Sequence, residues 1–372
     1  MTLLGYQPLE INDKYLILLL SMETATPTRS APADMSDADG FTPLRVKQVV
    51  TETPEAVSLV LEIAPQHSDE FRYLAGQFVT LKVTIDGIEH RRCYSMSSSP
   101  HRGADLQITV KRDRGGLVSN WINDTVRAGD VIYAAAPEGR FVLSATDRDI
   151  VTFAGGSGIT PVFSLAHSAL ATTSRKARMF YANRNLESVI FRDALADLAD
   201  SHPGRFEVHH HLDELDGVVT AQAITDFVRD CDTADFYVCG PAPFMDAVEQ
   251  VLLDTGIPKQ RIHLERFTVA AVAGVDPAEP AVTEEVTIEL GRSTVTTPYR
   301  PGNTLLQTAR LAGLKAPSSC ETGSCGTCMA QVVEGSARML NNDALDDDEV
   351  AEGWVVTCQA LPTSRTVKVV YE

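Results

Sequence analysis

Between residues 44 and 143 the apolar positions come in short runs, at 46–50, 57–63, 78–85, 106–111 and 131–135, each cut off by Gly, Pro or Asp. Short β-rich runs with that punctuation predict strands of an antiparallel barrel. The pattern then changes. Runs at 150–154, 178–182, 206–210, 236–239 and 262–264 read as strands, with helical stretches between them: one from Pro161, one over 186–198, one near 220–228 and one from Pro243. Strand and helix in alternation predict a parallel sheet covered by helices. Residues 268–283, rich in Ala, Val, Pro, Asp and Glu, carry no periodicity and read as a linker. Beyond them come strands at 286–290 and 294–297 and a helix capped by Asn303 or Thr304. A strand at 329–333 and closing strands around Val355 and Val367 complete a small α+β module. The expected organisation is an extension over 1–42, a barrel over 43–146, an α/β domain over 147–268, a linker over 269–283 and an α+β domain over 284–372.

At 372 residues the chain is long enough for two or three cores, and 44% hydrophobic with 22% charged residues is an ordinary globular composition. A formal charge of −18 excludes a nucleic-acid partner, whose phosphates would be repelled. It permits docking to a basic protein patch, although a solvated acidic surface is the commoner meaning. The apolar run at 15–20 is far below the roughly 20 residues a membrane helix needs. Glu10 and Asp13 precede it where a signal peptide carries positive charge. Residues 23–40, rich in Thr, Ser, Ala, Pro and Asp, read as disordered, with Met22 and Met35 as alternative starts.

Candidate chemistry concentrates in the cysteines. Cys320, Cys325 and Cys328 are spaced C-x4-C-x2-C, and Cys358 follows after 29 further residues. That is the plant-type spacing for a [2Fe–2S] cluster. Gly323 and Gly326 permit the tight wrap, and Ser324 and Thr327 offer short side chains near the sulfurs. Zinc ribbons usually pair two C-x2-C knuckles, and here there is one such pair. The remaining Cys93, Cys231 and Cys239 do not make a disulfide framework, which fits a reducing cytoplasm.

In the barrel region, Arg92-Cys93-Tyr94-Ser95 places a guanidinium, a phenol and a hydroxyl along one strand. Arginine forks onto phosphate, a tyrosine ring lies against a flat cofactor, and serine bonds a ring nitrogen. Val110 and Lys111 lead into Gly115-Gly116-Leu117-Val118-Ser119-Asn120-Trp121, a glycine turn opening a helix whose free N–H groups suit a pyrophosphate. In the α/β region, Gly155-Gly156-Ser157-Gly158-Ile159-Thr160-Pro161 lies between strand and helix, where a dinucleotide phosphate belongs. Cys239-Gly240-Pro241 follows the strand at 236–239.

Together with Gly76-Gln77-Phe78 and Pro137-Glu138-Gly139-Arg140-Phe141, these motifs resemble the ferredoxin–NADP reductase superfamily from residue 44 onward. The order flavin, nicotinamide, ferredoxin resembles the reductase components of multicomponent oxygenases. It is similar above all to ketosteroid 9α-hydroxylase reductases, with the reductase subunits of phenylacetyl-CoA epoxidases a near alternative. The resemblance implies a multidomain fold: an antiparallel β-barrel for FAD, an α/β parallel-sheet domain for NAD(P), and a β-grasp [2Fe–2S] ferredoxin. Electrons would pass from NAD(P)H through FAD and the cluster to a separate terminal oxygenase, such as a Rieske-type steroid hydroxylase. Tyr94 and Ser95 would place the flavin ring, and Arg92 with Val110, Lys111, Gly116, Leu117, Val118 and Ser119 would hold the rest of the flavin. Gly156, Gly158, Thr160, Pro161, Arg184, Cys239, Gly240 and Pro241 would bind the nicotinamide dinucleotide, with Cys239 at its reactive carbon. Cys320, Cys325, Cys328 and Cys358 would hold the cluster. Arg184 by itself tilts toward NADPH, but relatives with the same Asn-Arg pair are NADH-linked, and Glu187 is near enough in sequence to compete for it. The expectation is NADH.

Other features have ordinary readings. His209-His210-His211 would point to alternate faces of a strand, as a solvated strand end rather than a metal tract. Asp346-Asp347-Asp348-Glu349 reads as an exposed helix start, with docking as the further option. Cys231 is expected to be inert and Cys93 to face the barrel core. Glu265-Arg266-Phe267 either covers the flavin or simply ends its domain. The rival functions are a stand-alone NAD(P)H oxidase, for which a cluster is superfluous, and a non-enzymatic redox sensor, for which hydride-transfer motifs are superfluous.

Overall fold

The computed structural model describes residues 40–102, 105–267, 283–321, 323, 325–342 and 344–371. Residues 1–39 of the expected extension and 269–282 of the expected linker lie outside the described residues, as do Thr322 and Ser324. Phe41 is buried and the first strand begins at Thr42, so the ordered barrel starts a little before the expected boundary at 43. Thr283, expected in the linker, is also buried, and its hydroxyl donates to the Ser364 carbonyl at 2.7 Å.

Strands β1 (Thr42–Thr53), β2 (Ala56–Glu62), β3 (Phe78–Ile85), β4 (Ile88–Ser95), β5 (Leu106–Lys111) and β6 (Val131–Ala134) form one antiparallel sheet in the order β4-β3-β6-β1-β2-β5. The start of β1 alternates buried and exposed residues, so Leu44 and Val46 enter a core shared with Leu59, Leu81, Ile108 and Ile132. An antiparallel bridge between Met96 and Ile108 joins the two edge strands. The sheet therefore closes on itself, which removes its edges. Helix α1 (Leu117–Thr125) turns Val118 and Ile122 into the same core.

Five strands make the second sheet: β7 (Ile150–Gly155), β8 (Ala177–Asn183), β9 (Phe206–Leu212), β10 (Asp235–Cys239) and β11 (Ile262–Glu265). All pairings are parallel, in the order β11-β10-β7-β8-β9. Helices α2 (Ile159–Thr172), α3 (Arg192–Ser201), α4 (Asp213–Asp216), α5 (Ala221–Val228) and α6 (Ala242–Asp254) connect the strands. Most of α2 is buried because it lies between this sheet and the barrel, where Ser164 Oγ donates to the Ser98 carbonyl at 2.6 Å. Ser168 and Ser99 share a hydroxyl contact of 2.9 Å across the same junction.

The expected helix over 186–198 is two elements. Asn185 caps a short 3-10 turn (Leu186–Ser188), and Phe191, left-handed at φ 61°, restarts the chain as α3. Val189, Ile190 and Phe191 are all buried in succession, which a helix with one apolar face cannot do. The histidine run is also less solvated than expected. His209 and His211 share the face that lies against Phe180, and His211 is buried with Nε2 2.8 Å from the Gly217 carbonyl.

The third module is a mixed sheet of β12 (Glu285–Leu290), β13 (Ser293–Pro298), β14 (Met329–Glu334), β16 (Trp354–Val356) and β18 (Thr366–Tyr371) in the order β13-β12-β18-β14-β16. A two-stranded ribbon of β15 (Ala337–Met339) and β17 (Ala360–Pro362) accompanies it. Helix α7 (Leu305–Leu311) packs Leu305, Leu306 and Ala309 into its core, and Thr304, not Asn303, forms its capping box with Gln307. Helix α8 (Asp347–Ala351) starts at Asp346, whose side chain accepts from Glu349 N–H.

A buried ion pair braces the start of the parallel sheet. Asp235 accepts from Arg175 Nη2 at 3.1 Å and from the hydroxyls of Ser144 and Thr146, with both charged side chains almost wholly buried. Burial raises the Asp235 pKa, but these hydroxyls and the Arg175 charge outweigh it and leave the carboxyl below its usual 3.8. Arg175→Ala should therefore destabilise the protein by about 3 kcal/mol in denaturant melts at neutral pH, because it removes the buried partner of Asp235 and leaves only the half-exposed Arg148, 3.5 Å away. A depressed folded pKa contributes stability that is present at neutral pH and lost in acid. The difference between wild type and variant should shrink as the pH falls below the ordinary carboxylate range.

Candidate functional site

The strand order places the first strand of the parallel sheet, β7, beside its fourth, β10. Successive connections run to opposite sides of that pair, so the crevice at its carboxyl ends is the topological switch point, the usual ligand position in such sheets. Both dinucleotide motifs are there. A Cβ on Gly158 would lie 2.1 Å from the Cys239 carbonyl oxygen, and one on Gly240 would lie 3.0 Å from Gly155. These glycines let the two loops touch. Pro161 sits in the first turn of α2, whose start has no side-chain cap, and Thr160 Oγ1 donates to the Ser157 carbonyl at 3.0 Å. Gly156 is left-handed at φ 53°. Pro241 opens α6 as its N-cap, and the Cys239 thiol is fully buried, its pKa pushed well up by burial and then by Glu265.

On the barrel, β4 pairs with β3 so that Tyr94 lies opposite Val79 and Arg92 opposite Leu81. Both partners belong to the barrel core, which gives Arg92 and Tyr94 the inward face of the strand. Burial pushes the Tyr94 phenol well up, against a smaller opposing pull from Arg92, so it stays neutral. Arg92 donates to the Arg91 carbonyl at 2.7 Å. Ser95 is buried, and its hydroxyl has no hydrogen-bond partner among the described residues.

Gly116 caps α1 with backbone alone. Ser119 Oγ accepts from Asp113 N–H at 3.2 Å and Leu117 is exposed, whereas the side chains of Val110 and Val118 lie in the barrel core. The two valines can therefore meet a ligand through their backbone. Lys111 reaches the other motif: its Nζ would be 3.2 Å from a Cβ on Gly156. Burial lowers the Lys111 pKa, with Arg184 adding to the effect. Arg184 is paired with Glu55 in the turn between β1 and β2 at 3.5 Å, not with Glu187.

The four cysteines expected to hold the cluster gather from the loop and from the segment between β16 and β17. Cys320, Cys328 and Cys358 are buried and Cys325 is half-buried. Their sulfurs fall into two hydrogen-bonded pairs, Cys320 with Cys325 and Cys328 with Cys358. Sharing within the second pair pulls the Cys328 pKa down and pushes that of Cys358 up. Gly323 and Gly326 are left-handed, as the loop requires, and so is Glu321, which Arg310 holds by its carboxylate and Gln359 by its carbonyl. Among the described residues no three His, Cys, Asp or Glu side chains are grouped to hold a single metal ion. Two sulfur pairs instead match two irons with two thiolates each.

Cys93 does not face the barrel core. Its neighbours Arg92 and Tyr94 take that face, so the thiol points outward, 3.4 Å from Thr80 Oγ1 and in hydrogen-bond contact with Cys320. The cluster loop thus lies directly on the back of the Tyr94 strand. Ser319 Oγ is 3.0 Å from Thr80 Oγ1, and Glu138 reaches both Ser319 and Thr327.

Family models match this arrangement in order: an oxidoreductase FAD-binding domain over residues 15–143, an oxidoreductase NAD-binding domain over 153–250 and a 2Fe-2S iron-sulfur cluster binding domain over 288–363. The ferredoxin reductase component of 3-ketosteroid-9-alpha-monooxygenase from Mycobacterium tuberculosis is 38% identical over 343 residues, covering 88% of this chain and 95% of that one. The chain belongs to the family of oxygenase reductases. A subunit of the 1,2-phenylacetyl-CoA epoxidase from Escherichia coli is 31% identical over 351 residues, covering 89% and 98% of the two chains. The solved structure of phthalate dioxygenase reductase superposes with a TM-score of 0.60 at 26% identity, covering 89% of this chain and 98% of that one.

This oxygenase reductase is an oxidoreductase with FAD-, NAD- and [2Fe–2S]-binding domains. Its residues fit each group. The unpartnered Ser95 hydroxyl and the uncapped start of α1 suit a flavin and its pyrophosphate, and the paired sulfurs suit the cluster. Sequence reasoning missed the roles of Glu55, Thr80, Ser319 and Glu138, because each acts across a junction between modules. In the segment Glu265-Arg266-Phe267, Arg266 is tied to α6 through Asp246 at 2.8 Å and Glu249 at 3.1 Å, and Phe267 is exposed. Cys325→Ser should abolish the iron–sulfur absorbance and EPR signal while FAD remains bound. Metal analysis with acid release and chromatography of the flavin checks both halves.

Proposed function

We propose that this oxygenase reductase draws on NADH and delivers electrons to a terminal oxygenase of the ketosteroid 9α-hydroxylase kind, a Rieske-type protein separate from this chain. The 38% identity to the mycobacterial ketosteroid reductase, against 31% to the epoxidase subunit, supports this acceptor over an epoxidase. The observation that carries the electron path is the seating of the Cys320 loop on the reverse of the Tyr94 strand. One strand thereby adjoins both redox sites, which neither a stand-alone oxidase nor a sensor requires.

The bound groups supply the electron arithmetic: NADH becomes NAD+, a proton and two electrons, which leave the flavin singly through the cluster. The chain supplies alignment. The Tyr94 ring and Ser95 hydroxyl position the flavin ring, and Arg92 and the Gly116–Ser119 turn bind its phosphates. Gly156, Gly158 and the start of α2 at Thr160 and Pro161 receive the nicotinamide dinucleotide, with Lys111 bridging from the barrel. Gly240 and Pro241 shape the nicotinamide side, and the neutral Cys239 thiol forms its wall. No helix among the described residues is long and apolar enough to cross a membrane.

Glu55 gives a physical reason for NADH. It occupies Arg184, the cation that a 2′-phosphate would otherwise claim. Because the pair is exposed, the effect is modest. Glu55→Gln should lower the KM for NADPH by roughly two- to fivefold with little change for NADH, and Arg184→Ala should remove the gain. Stopped-flow flavin reduction with both nucleotides reads this directly. The acceptor is tested by reconstitution with purified oxygenases: turnover with a ketosteroid hydroxylase and not with an acyl-CoA epoxidase is expected, and the reverse would overturn the assignment.

A further inference from the structure

The segment Pro137-Glu138-Gly139-Arg140-Phe141 touches all three modules. Phe141 packs into the core of the parallel-sheet module, edge-on to Tyr237 with ring centroids 5.7 Å apart. Arg140 makes two contacts with the Glu349 carboxylate in α8, at 3.1 and 3.2 Å. Glu138 reaches the cluster loop. Its Oε1 accepts from Ser319 Oγ at 2.5 Å and its Oε2 from Thr327 Oγ1 at 2.6 Å. Thr80 Oγ1 completes the group, 3.0 Å from Ser319 Oγ and 3.5 Å from the same Oε1.

The two hydroxyls are placed at special points. Ser319 immediately precedes Cys320 and Thr327 immediately precedes Cys328. A single carboxylate on the barrel therefore holds the loop on either side of its bend, beside one ligand from each sulfur pair. The carboxylate is itself held. Glu138 exchanges two backbone hydrogen bonds of 2.9 Å with Phe78 at the start of β3, and Gly139 turns behind it at φ 124° against the Phe78 ring. The Glu138 backbone cannot shift without disturbing β3, the strand that pairs with β4. Both hydroxyl bonds are charge-assisted, and the one from the buried Ser319 is also largely withdrawn from water, whereas Thr327 is exposed.

We propose that Glu138 is a positioning residue for the one-electron step, fixing the cluster loop against the flavin strand. The proposal rests on the electron path argued above. It separates two events in the holoenzyme: arrival of two electrons as hydride at the barrel, which does not need Glu138, and their departure one at a time into the cluster, which does. No bond forms or breaks at the carboxylate, which neither gains nor loses an electron.

The test is anaerobic stopped-flow reduction of the FAD- and cluster-loaded protein by NADH, for wild type, Glu138→Ala and Glu138→Gln. Loss of both charge-assisted bonds should slow cluster reduction by about tenfold or more in Glu138→Ala, with flavin reduction unchanged. Glu138→Gln, which keeps one acceptor oxygen, should fall between. Independently of turnover, amide hydrogen exchange over residues 316–329 should accelerate in Glu138→Ala, while the EPR spectrum of the chemically reduced cluster stays the same. Unchanged cluster reduction with unchanged exchange would overturn the proposal, and so would equal slowing of both phases, which would mark a general structural role. A wild-type protein whose cluster NADH never reduces would instead overturn the electron path itself.

Discussion

Alternation along β4 is the constraint on which the rest of the molecule hangs. A strand presents successive side chains to opposite faces. Arg92 and Tyr94 therefore share the barrel side while Cys93, between them, must look outward onto Cys320. One short strand thus carries the proposed flavin residues on one face and meets the Cys320 loop on the other. The other junctions follow from it: α2 is buried on both sides because the barrel must also meet the nicotinamide domain, and the loop after β6 serves both neighbours.

The parallel sheet solves a different problem. Its two central strands bring two chain segments to one crevice, and glycines at 155, 158 and 240 remove the side chains that would hold them apart. A dinucleotide phosphate at that place meets backbone rather than side chain, so selectivity has to come from the rim. Here the rim is shared between domains, with Lys111 and Glu55 reaching over from the barrel toward Gly156 and Arg184.

Local signals are legible in the sequence and distant ones are not. Strand runs such as 78–85 and 106–111 coincide with β3 and β5, because period and punctuation are local. The Cys spacing discloses the cluster for the same reason. Cys93 misleads because its outward neighbour, the 319–320 segment, is more than two hundred residues away in the chain. Glu187 is near Arg184 in sequence, but the turn between β1 and β2, with Glu55, is nearer in space. The helix expected at 186–198 breaks because three consecutive buried residues, Val189, Ile190 and Phe191, carry no helical period. The acidic run at 346–349 does start a helix, and two of its charges are taken up within the chain, Asp347 by Lys259 and Glu349 by Arg140.

The side-chain contacts that Ser319 and Thr327 make across modules run to the barrel, the first module in sequence, although the ferredoxin module is covalently continuous with the second. The order in which modules are strung together is therefore independent of the order in which they touch. A carboxylate and a threonine on the barrel meet the loop through its hydroxyls, and Arg140 beside them meets the carboxylate of Glu349 in α8. A ferredoxin module moved to the front of the chain, or encoded as a separate small protein, would find the same contacts, so gene fusion and fission at this boundary need not disturb the electron path.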